Sequence, residues 1–494
     1  MTTATIASAR PQLADPSLLR EAVLIGGEWL EAPAGGGIAV TSPADGALVG
    51  RVPACGTVET QAAIAAANAA WADWKGRTAH ERAAVVERWH ALILENLDDL
   101  ARIMTAEQGK TLAEAQGEIR YAASFVKWFA EEGRRVSGHT VASPERNRRI
   151  IVLSEPIGVS AAITPWNFPA AMITRKCSPA LAAGCPVVIK PSELTPFTAI
   201  ALVELARRAG FPDGTINIVT GLPGEIGAAI TSSPIVRKLS FTGSTRVGSL
   251  LMEQCAPTIK KLSLELGGNA PLLVFEDADL DLAVAATMAS KFRNSGQTCV
   301  CANRIFVADA IHDEFAGRLA KAVAALNAGP GMEQGSTMGP LINPAAVQKV
   351  HSHYEDALAH GAKVLATGTG RDDGNFVRSM LMTGASPAMK LASEETFGPL
   401  AALFRFGSED EAIAMANDTQ YGLASYFYTR DLSRAFRVAE RLETGMVALN
   451  TGAMAMEVSP FGGIKQSGLG REGGREGIEE YLEAKTFHIG GLEI

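Results

Sequence analysis

The sequence predicts an α/β protein of two domains, each built on a parallel sheet. Three observations predict it. The chain has 494 residues, too many for one ordinary domain. From Gly158 to Leu264, apolar stretches of about five residues alternate strictly with helical ones, the pattern of right-handed βαβ units. A second alternation begins after Gly268, so a domain boundary is expected near Gly267-Gly268.

Taken in order, residues 25–29 (Ile-Gly-Gly-Glu-Trp) spell a hairpin turn, and 38–52 continues in strand-like pieces broken by Pro and Gly. Between 58 and 136 the period becomes helical. Residues 57–74 are Ala-rich with an acid in the first turn, 80–96 and 97–109 space apolar residues at i, i+3/i+4, and 111–134 is a long amphipathic segment. Residues 147–154 return to strand. The first alternation then runs strand 159–163, helix 169–183, strand 186–190, helix 196–209, strand 215–219, helix 225–232, strand 236–241, helix 245–255 and strand 258–264. The second runs strand 270–275, helix 279–292, strand 304–307 and helix 312–326, and continues to residue 450. Residues 327–342 and 462–477 are rich in Gly and read as loops; 478–494 reads as a short helix and strand. Ligands on such sheets bind beyond the carboxyl ends of the strands.

Composition excludes several classes. Hydrophobic residues make up 47% and charged residues 20%, enough for a buried core and unlike a disordered chain. The net charge is −8 with signs interspersed, which predicts no nucleic-acid partner, because phosphate binding needs a basic face. Apolar runs are broken well before the length of a membrane span, so no membrane partner is expected. The six cysteines lack a C-x-x-C or a zinc spacing, and His351 and His353 alone make a weak pair, so no metal is expected. Scattered free thiols fit a reducing compartment, the cytoplasm. Residues 1–20 read as a short flexible leader.

Five stretches carry chemistry. Cys299 and Cys301 stand two apart in Ser295-Gly296-Gln297-Thr298-Cys299-Val300-Cys301, behind small and polar residues that let backbone approach; upstream, Glu265 precedes Gly267-Gly268. A nucleophile and its base, or two buried thiols and a surface acid, are equally compatible with these residue types. Phe241-Thr242-Gly243-Ser244-Thr245 ends a strand and opens a helix, where free N–H groups suit a diphosphate, or where Ser simply caps the helix. Lys190-Pro191-Ser192-Glu193 ends another strand, where an acid accepts from a ribose 2′-OH and repels a 2′-phosphate, or where the chain simply presents an exposed strand end. Thr164-Pro165-Trp166-Asn167-Phe168-Pro169 holds a side-chain amide rigidly, a good oxyanion donor or a satisfied turn residue. Gly468-Leu469-Gly470-Arg471-Glu472-Gly473 spells G-x-G-x-x-G but follows no suitable strand and is read as a flexible loop.

These stretches, with Glu394-Glu395-Thr396-Phe397-Gly398-Pro399, Asn450-Thr451-Gly452 and Pro460-Phe461-Gly462-Gly463, closely resemble the aldehyde dehydrogenase superfamily from Ile25 to the end of the chain. Residues 292–301, 173–176 and 465–472 look like its succinate-semialdehyde dehydrogenase branch. The resemblance implies a Rossmann-like cofactor domain (21–140 and 158–266), an α/β catalytic domain (267–465) and a small β oligomerisation element (141–157 and 478–494). It implies a homo-oligomer, a tetramer favoured over a dimer.

It also implies residue roles. Cys299 matches the nucleophile, Asn167 the oxyanion donor, Glu265 the base that activates water, and Lys176 a proton relay. Ile163, Trp166, Lys190, Ser192, Glu193, Gly224, Gly243, Ser244, Glu395 and Phe397 match the dinucleotide site. NAD is the expected cofactor, since Glu193 disfavours a 2′-phosphate, with NADP as a second cofactor that Ser192 tolerates. Arg175 offers bidentate recognition of a carboxylate and Arg293 a second clamp, unless both make structural ion pairs. Phe461 and Ala455 line the substrate side. The branch usually carries Ser where this chain has Ala455, so the expected substrate is succinate semialdehyde or a close anionic analogue, glutarate semialdehyde or sulfolactaldehyde. Cys301 is a candidate redox partner of Cys299, or a small packed residue. A non-catalytic binding protein, a thiol redox sensor and a coenzyme A-acylating enzyme are the rivals; retention of Cys299, Glu265 and Asn167 speaks against the first, Glu265 with the dinucleotide motifs against the second, and Glu265 against the third.

Overall fold

The structure, a computed structural model, describes residues 9–33 and 36–493. Two hairpins open the chain: β1 (Ala22–Ile25) with β2 (Glu28–Glu31), and β3 (Ile38–Thr41) with β4 (Leu48–Val52). Four helices follow: α1 (Thr57–Gly76), α2 (Ala79–Glu95), α3 (Leu97–Gln108) and α4 (Leu112–Gly133). Reciprocal capping boxes start α2 and α4: Thr78 with Glu81, and Thr111 with Glu114. The leader expected at 1–20 needs correction. Residues 1–8 lie outside the described residues, but Leu18 and Leu19 are buried, and the N–H groups of Ala14 and Asp15 donate to Asp99 at 2.9 and 2.7 Å. Two buried leucines and a paired carboxylate outweigh the polar composition that suggested a loose segment.

After β5 (His139–Val141) and β6 (Arg149–Pro156) the first alternation forms as expected: β7 (Val159–Ile163), α5 (Ala171–Ala183), β8 (Val187–Lys190), α6 (Pro196–Ala209), β9 (Ile216–Ile218), α7 (Pro223–Ser232), β10 (Val236–Thr242), α8 (Thr245–Cys255) and β11 (Lys261–Glu265). The strands are parallel in the order β11-β10-β7-β8-β9. The order reverses between β7 and β10, where Ile163 lies opposite Phe241. A crevice opens beyond the carboxyl ends of strands at such a point, so the 164–169 and 242–245 loops meet there.

The second alternation supplies β12 (Ala270–Val274), α9 (Leu280–Lys291), β13 (Ala302–Ala308), α10 (His312–Ala324), β14 (Asn327–Ala328), α11 (Pro344–Ala359), β15 (Lys363–Thr367), β16 (Thr369–Gly370), β17 (Met380–Thr383), α12 (Lys390–Ser393), β18 (Leu400–Phe406), α13 (Glu409–Asn417), β19 (Tyr421–Gly422), β20 (Ala424–Tyr428), α14 (Leu432–Arg441) and β21 (Met446–Leu449). Its sheet runs β15-β17-β18-β13-β12-β20-β21, parallel except for β15. Each sheet has its own apolar core, that of the first extending through α1–α6.

The chain then returns. After β22 (Ile464–Lys465), β23 (Gly468–Leu469) pairs antiparallel with Leu264 and Glu265 on the edge of the first sheet. The flexible loop expected at 468–473 is therefore corrected to a bound segment. Gly468 has φ +127°, and a Cβ there would lie 1.8 Å from the Leu264 carbonyl oxygen, so only glycine permits the pairing. After α15 (Glu476–Glu479), β24 (Leu482–Ile489) pairs with β6, and β6 with β5, in a three-stranded antiparallel sheet with exposed Leu153 and Phe487. Among the described residues no helix is long and apolar enough to cross a membrane.

Candidate active site

The loop that carries Cys299 is built from backbone that few residues adopt. Asn294, Ser295 and Gly296 have φ of +51°, +57° and +74° in succession. A Cβ on Gly296 would lie 2.3 Å from the Gly398 carbonyl oxygen. Side chains hold this path: the Ser295 hydroxyl donates to the Gly339 carbonyl at 2.8 Å, and Gln297 accepts from the Ile342 N–H at 3.0 Å. Cys299 is part-exposed, whereas Cys301 is buried, its thiol donating to the Lys291 carbonyl at 3.4 Å. Burial raises the Cys299 thiol to about 12, against the pull of Arg175 and Arg293. At neutral pH the thiol keeps its proton until something takes it.

Asn167 follows β7 and is buried. Its side-chain amide donates to the Gln297 carbonyl at 3.0 Å, tying the Asn167 loop to the Cys299 loop and leaving its second N–H free to serve another acceptor. Its own carbonyl accepts from Lys110 Nζ at 2.9 Å and Asn294 Nδ2 at 3.0 Å. Lys110 is ion-paired with Glu118, which in turn accepts from the N–H groups of Ala170 and Ala171 at the start of α5.

Glu265 ends β11 with its Oε2 buried and without a hydrogen-bond partner. Burial, then the charge of Glu472, hold its pKa well above the carboxylate range, while Arg175, Lys176 and Arg471 oppose them. Glu472, on the returning segment, accepts from Arg175 Nε at 2.6 Å, from Lys176 Nζ and from Ser240 Oγ at 3.1 Å. Against the cost of burial, Lys176 and Arg175 keep Glu472 ionised, at about 2. Lys176 also donates to Thr242 Oγ1 at 2.6 Å, and burial lowers its pKa.

A cavity of about 280 Å³ lies at the switch point of the first sheet. Trp166, Asn167, Gly243, Ser244, Cys299, Glu395 and Phe397 are among the residues that line it, and Lys349 adds a cation. Trp166 and Phe397 meet edge to face at 5.7 Å, with Phe397 at φ +54°. Burial raises Glu395 to about 7, and it accepts only a long bond, 3.4 Å, from the Gly268 N–H. His353 on α11 grips the loop on both sides of Glu395, 3.1 Å from Glu394 and 3.2 Å from Thr396. An under-satisfied carboxylate, an aromatic wall and the N-terminus of α8, capped by Ser244, fit a nicotinamide dinucleotide. Lys190 lies opposite Ile163 in the sheet and pairs with Glu193 at 2.8 Å, while the Ser192 hydroxyl accepts from the Leu194 N–H at 3.2 Å. Gly224 lies in the first turn of α7. Ile163, Lys190, Ser192, Glu193 and Gly224 do not line this cavity. A larger one, about 630 Å³ around Arg304 and Asp418, holds none of the sequence-predicted residues.

On the substrate side, Arg175 differs from a free fork. It is 2% exposed, its Nε is taken by Glu472, and its guanidinium lies 4.0 Å over the Phe461 ring. Its Nη2 is buried and without a hydrogen-bond partner. Arg293 is exposed and stacks on Phe168 at 5.0 Å. Ala455 and Met454 pack against the second core, and Met456 is exposed. Sequence reasoning did not name Lys110, Glu118, Asn294 or Glu472 as site residues: Asn294 and Glu472 lie in stretches that carried the resemblance, but the partners of the four are 57, 52, 127 and 296 positions away.

Residues 29–487 match the model of the aldehyde dehydrogenase family. The chain is 59% identical over 97% of its length to a glutarate-semialdehyde dehydrogenase of Pseudomonas putida, covering 99% of that protein. It is 58% identical to the succinate-semialdehyde dehydrogenase (NADP(+)) of Escherichia coli, over 97% of this chain and 100% of that one. To a 3-sulfolactaldehyde dehydrogenase of Pseudomonas putida it is 56% identical, over 98% and 99%. The crystal structure of a succinate-semialdehyde dehydrogenase from Burkholderia pseudomallei superposes with a TM-score of 0.95 at 59% identity, over 97% of this chain and 100% of that chain. A match over nearly the whole chain, with the same fold and with Cys299, Asn167 and Glu395 around one cavity that Glu265 does not itself line, leaves one conclusion: this protein belongs to the aldehyde dehydrogenase family.

Proposed function

We propose that this protein oxidises an aldehyde carrying a distal anion to the carboxylic acid, with succinate semialdehyde or a close analogue as substrate. One observation carries the anionic preference: the Arg175 guanidinium, stacked on Phe461, keeps a buried Nη2 without a hydrogen-bond partner. A carboxylate or sulfonate would satisfy it. The relatives at 56–59% identity are named for three different anionic aldehydes, so overall identity does not choose among them. Ala455 supplies no hydroxyl to the substrate anion, a loss of about 1–3 kcal/mol where the acceptor is left unpaired, which keeps glutarate semialdehyde and sulfolactaldehyde beside succinate semialdehyde as candidates.

In this reading the Cys299 thiol passes its proton to a water molecule on the way to bulk solvent as its sulfur adds to the carbonyl carbon and the carbonyl π pair moves onto oxygen. The oxyanion is held by the free N–H of Asn167 and the backbone N–H of Cys299. A nicotinamide dinucleotide in the cavity supplies the hydride acceptor, NAD preferred and NADP second, with Glu395, Phe397 and Trp166 as its walls. The thioester on Cys299 is then cleaved by water whose proton Glu265 takes; Lys176 and Glu472 carry the charge behind it. Residues 21–140 and 158–266 serve as the cofactor domain and 267–465 as the catalytic domain. The exposed sheet of β5, β6 and β24 supports an oligomerisation role, and the free cysteines support the cytoplasm.

The test is reduced-dinucleotide formation with succinate semialdehyde, glutarate semialdehyde, sulfolactaldehyde and propanal, each with NAD and with NADP. An anionic aldehyde is expected to exceed propanal in kcat/KM by about 10²-fold. Preference for propanal would overturn the anionic reading, and equal or better turnover with NADP would overturn the NAD preference.

A further inference from the structure

We infer that Asn294 is a positioning residue that sets the geometry of the oxyanion site; the inference rests on the function proposed above. Its side-chain amide spans the two loops that supply the oxyanion donors. One Nδ2 proton goes to the Asn167 carbonyl at 3.0 Å and the other to the Gln297 carbonyl at 3.2 Å, two residues before Cys299. The Asn167 side chain donates to the same Gln297 carbonyl at 3.0 Å, so the three residues close a ring around one oxygen.

The amide can point only one way. Lys110 N–H donates to Gln108 Oε1 at 2.9 Å, and Gln108 Nε2 donates to Asn294 Oδ1 at 3.1 Å, so the donor face of Asn294 is turned toward the two carbonyls. The Asn294 N–H is fixed as well, donating to Glu114 Oε1 at 2.7 Å. The residue holds this place at φ +51°, ψ +38°, in a left-handed run that only Asn, Asp or Gly adopts readily. A buried amide with every hydrogen bond satisfied, kept in a disfavoured backbone state at the junction of two catalytic loops, acts as a spacer between them.

The spacer has a signature that a merely structural residue lacks. Acylation of Cys299 by p-nitrophenyl acetate forms the C–S bond, places negative charge on the carbonyl oxygen and expels p-nitrophenolate; it needs the oxyanion donors but no dinucleotide. Alkylation of Cys299 by iodoacetamide displaces iodide at carbon and develops no oxyanion. Asn294→Asp keeps size and backbone preference while removing both donors, and Asn294→Gly keeps the left-handed backbone if the Asp variant fails to fold. The expected result is acylation slowed about 10²-fold with alkylation unchanged, in either variant. Unchanged acylation, or acylation and alkylation falling together, would overturn the inference. Failure of the wild type to oxidise any of the aldehydes while its acylation still separates from that of the variants would overturn the proposed function alone.

Discussion

At the residue scale, Glu265 and Glu472 divide the work of one acid between two. Glu472 is held ionised by Lys176 and Arg175, and its charge, after burial, pushes Glu265 up. A carboxyl with a raised pKa is a base only above that pKa, so thioester hydrolysis is expected to rise with pH beyond the usual carboxylate range. Glu265→Gln is expected to lower turnover by about 10²–10⁴-fold and to remove that rising limb, as steady-state pH profiles would show. Glu472→Gln removes an anion and unmasks two buried cations. Both changes lower the pKa of Glu265, so the limb should move to lower pH, while uncompensated charge costs about 3–5 kcal/mol in denaturant unfolding. A limb that stays in place would show that Glu472 does not govern Glu265.

At the scale of elements, strand ends and loops carry the candidate site, and the decisive ones come from distant parts of the chain. The alternation of strand and helix was legible because each unit satisfies its own hydrogen bonds and shows its period locally. The edge strand β23 was not legible: two residues, one of them glycine, have no period, and their pairing with β11 is visible only when 468 meets 265. That pairing brings Glu472 near enough for its charge to act on Glu265, which turns the rejected glycine motif from filler into support. Gly468→Ala is expected to cost at least about 2 kcal/mol in thermal unfolding and to weaken turnover along with stability, because the added Cβ collides with the Leu264 carbonyl. A stable, fully active alanine variant would show that the segment can shift without consequence.

At the scale of the molecule, β5, β6 and β24 form a sheet with exposed apolar side chains, Leu153 at 40% and Phe487 at 51%. Such a sheet is the surface through which the proposed oligomer would form. Phe487→Asp is expected to shift the mass in light scattering toward the monomer, and an unchanged mass would place the interface elsewhere. By itself the sequence determined the two α/β alternations, the family resemblance, and Cys299, Asn167 and Glu265 as the residues to examine, because period and motif are properties of neighbouring positions. Only the tertiary structure decided that Arg175 shares its guanidinium with Glu472, that the leader from Ala14 onward packs down, and that Lys110, Glu118 and Asn294 brace the Asn167 loop. Burial and pairing across dozens to hundreds of positions set charge and orientation in this site, and no local pattern records them.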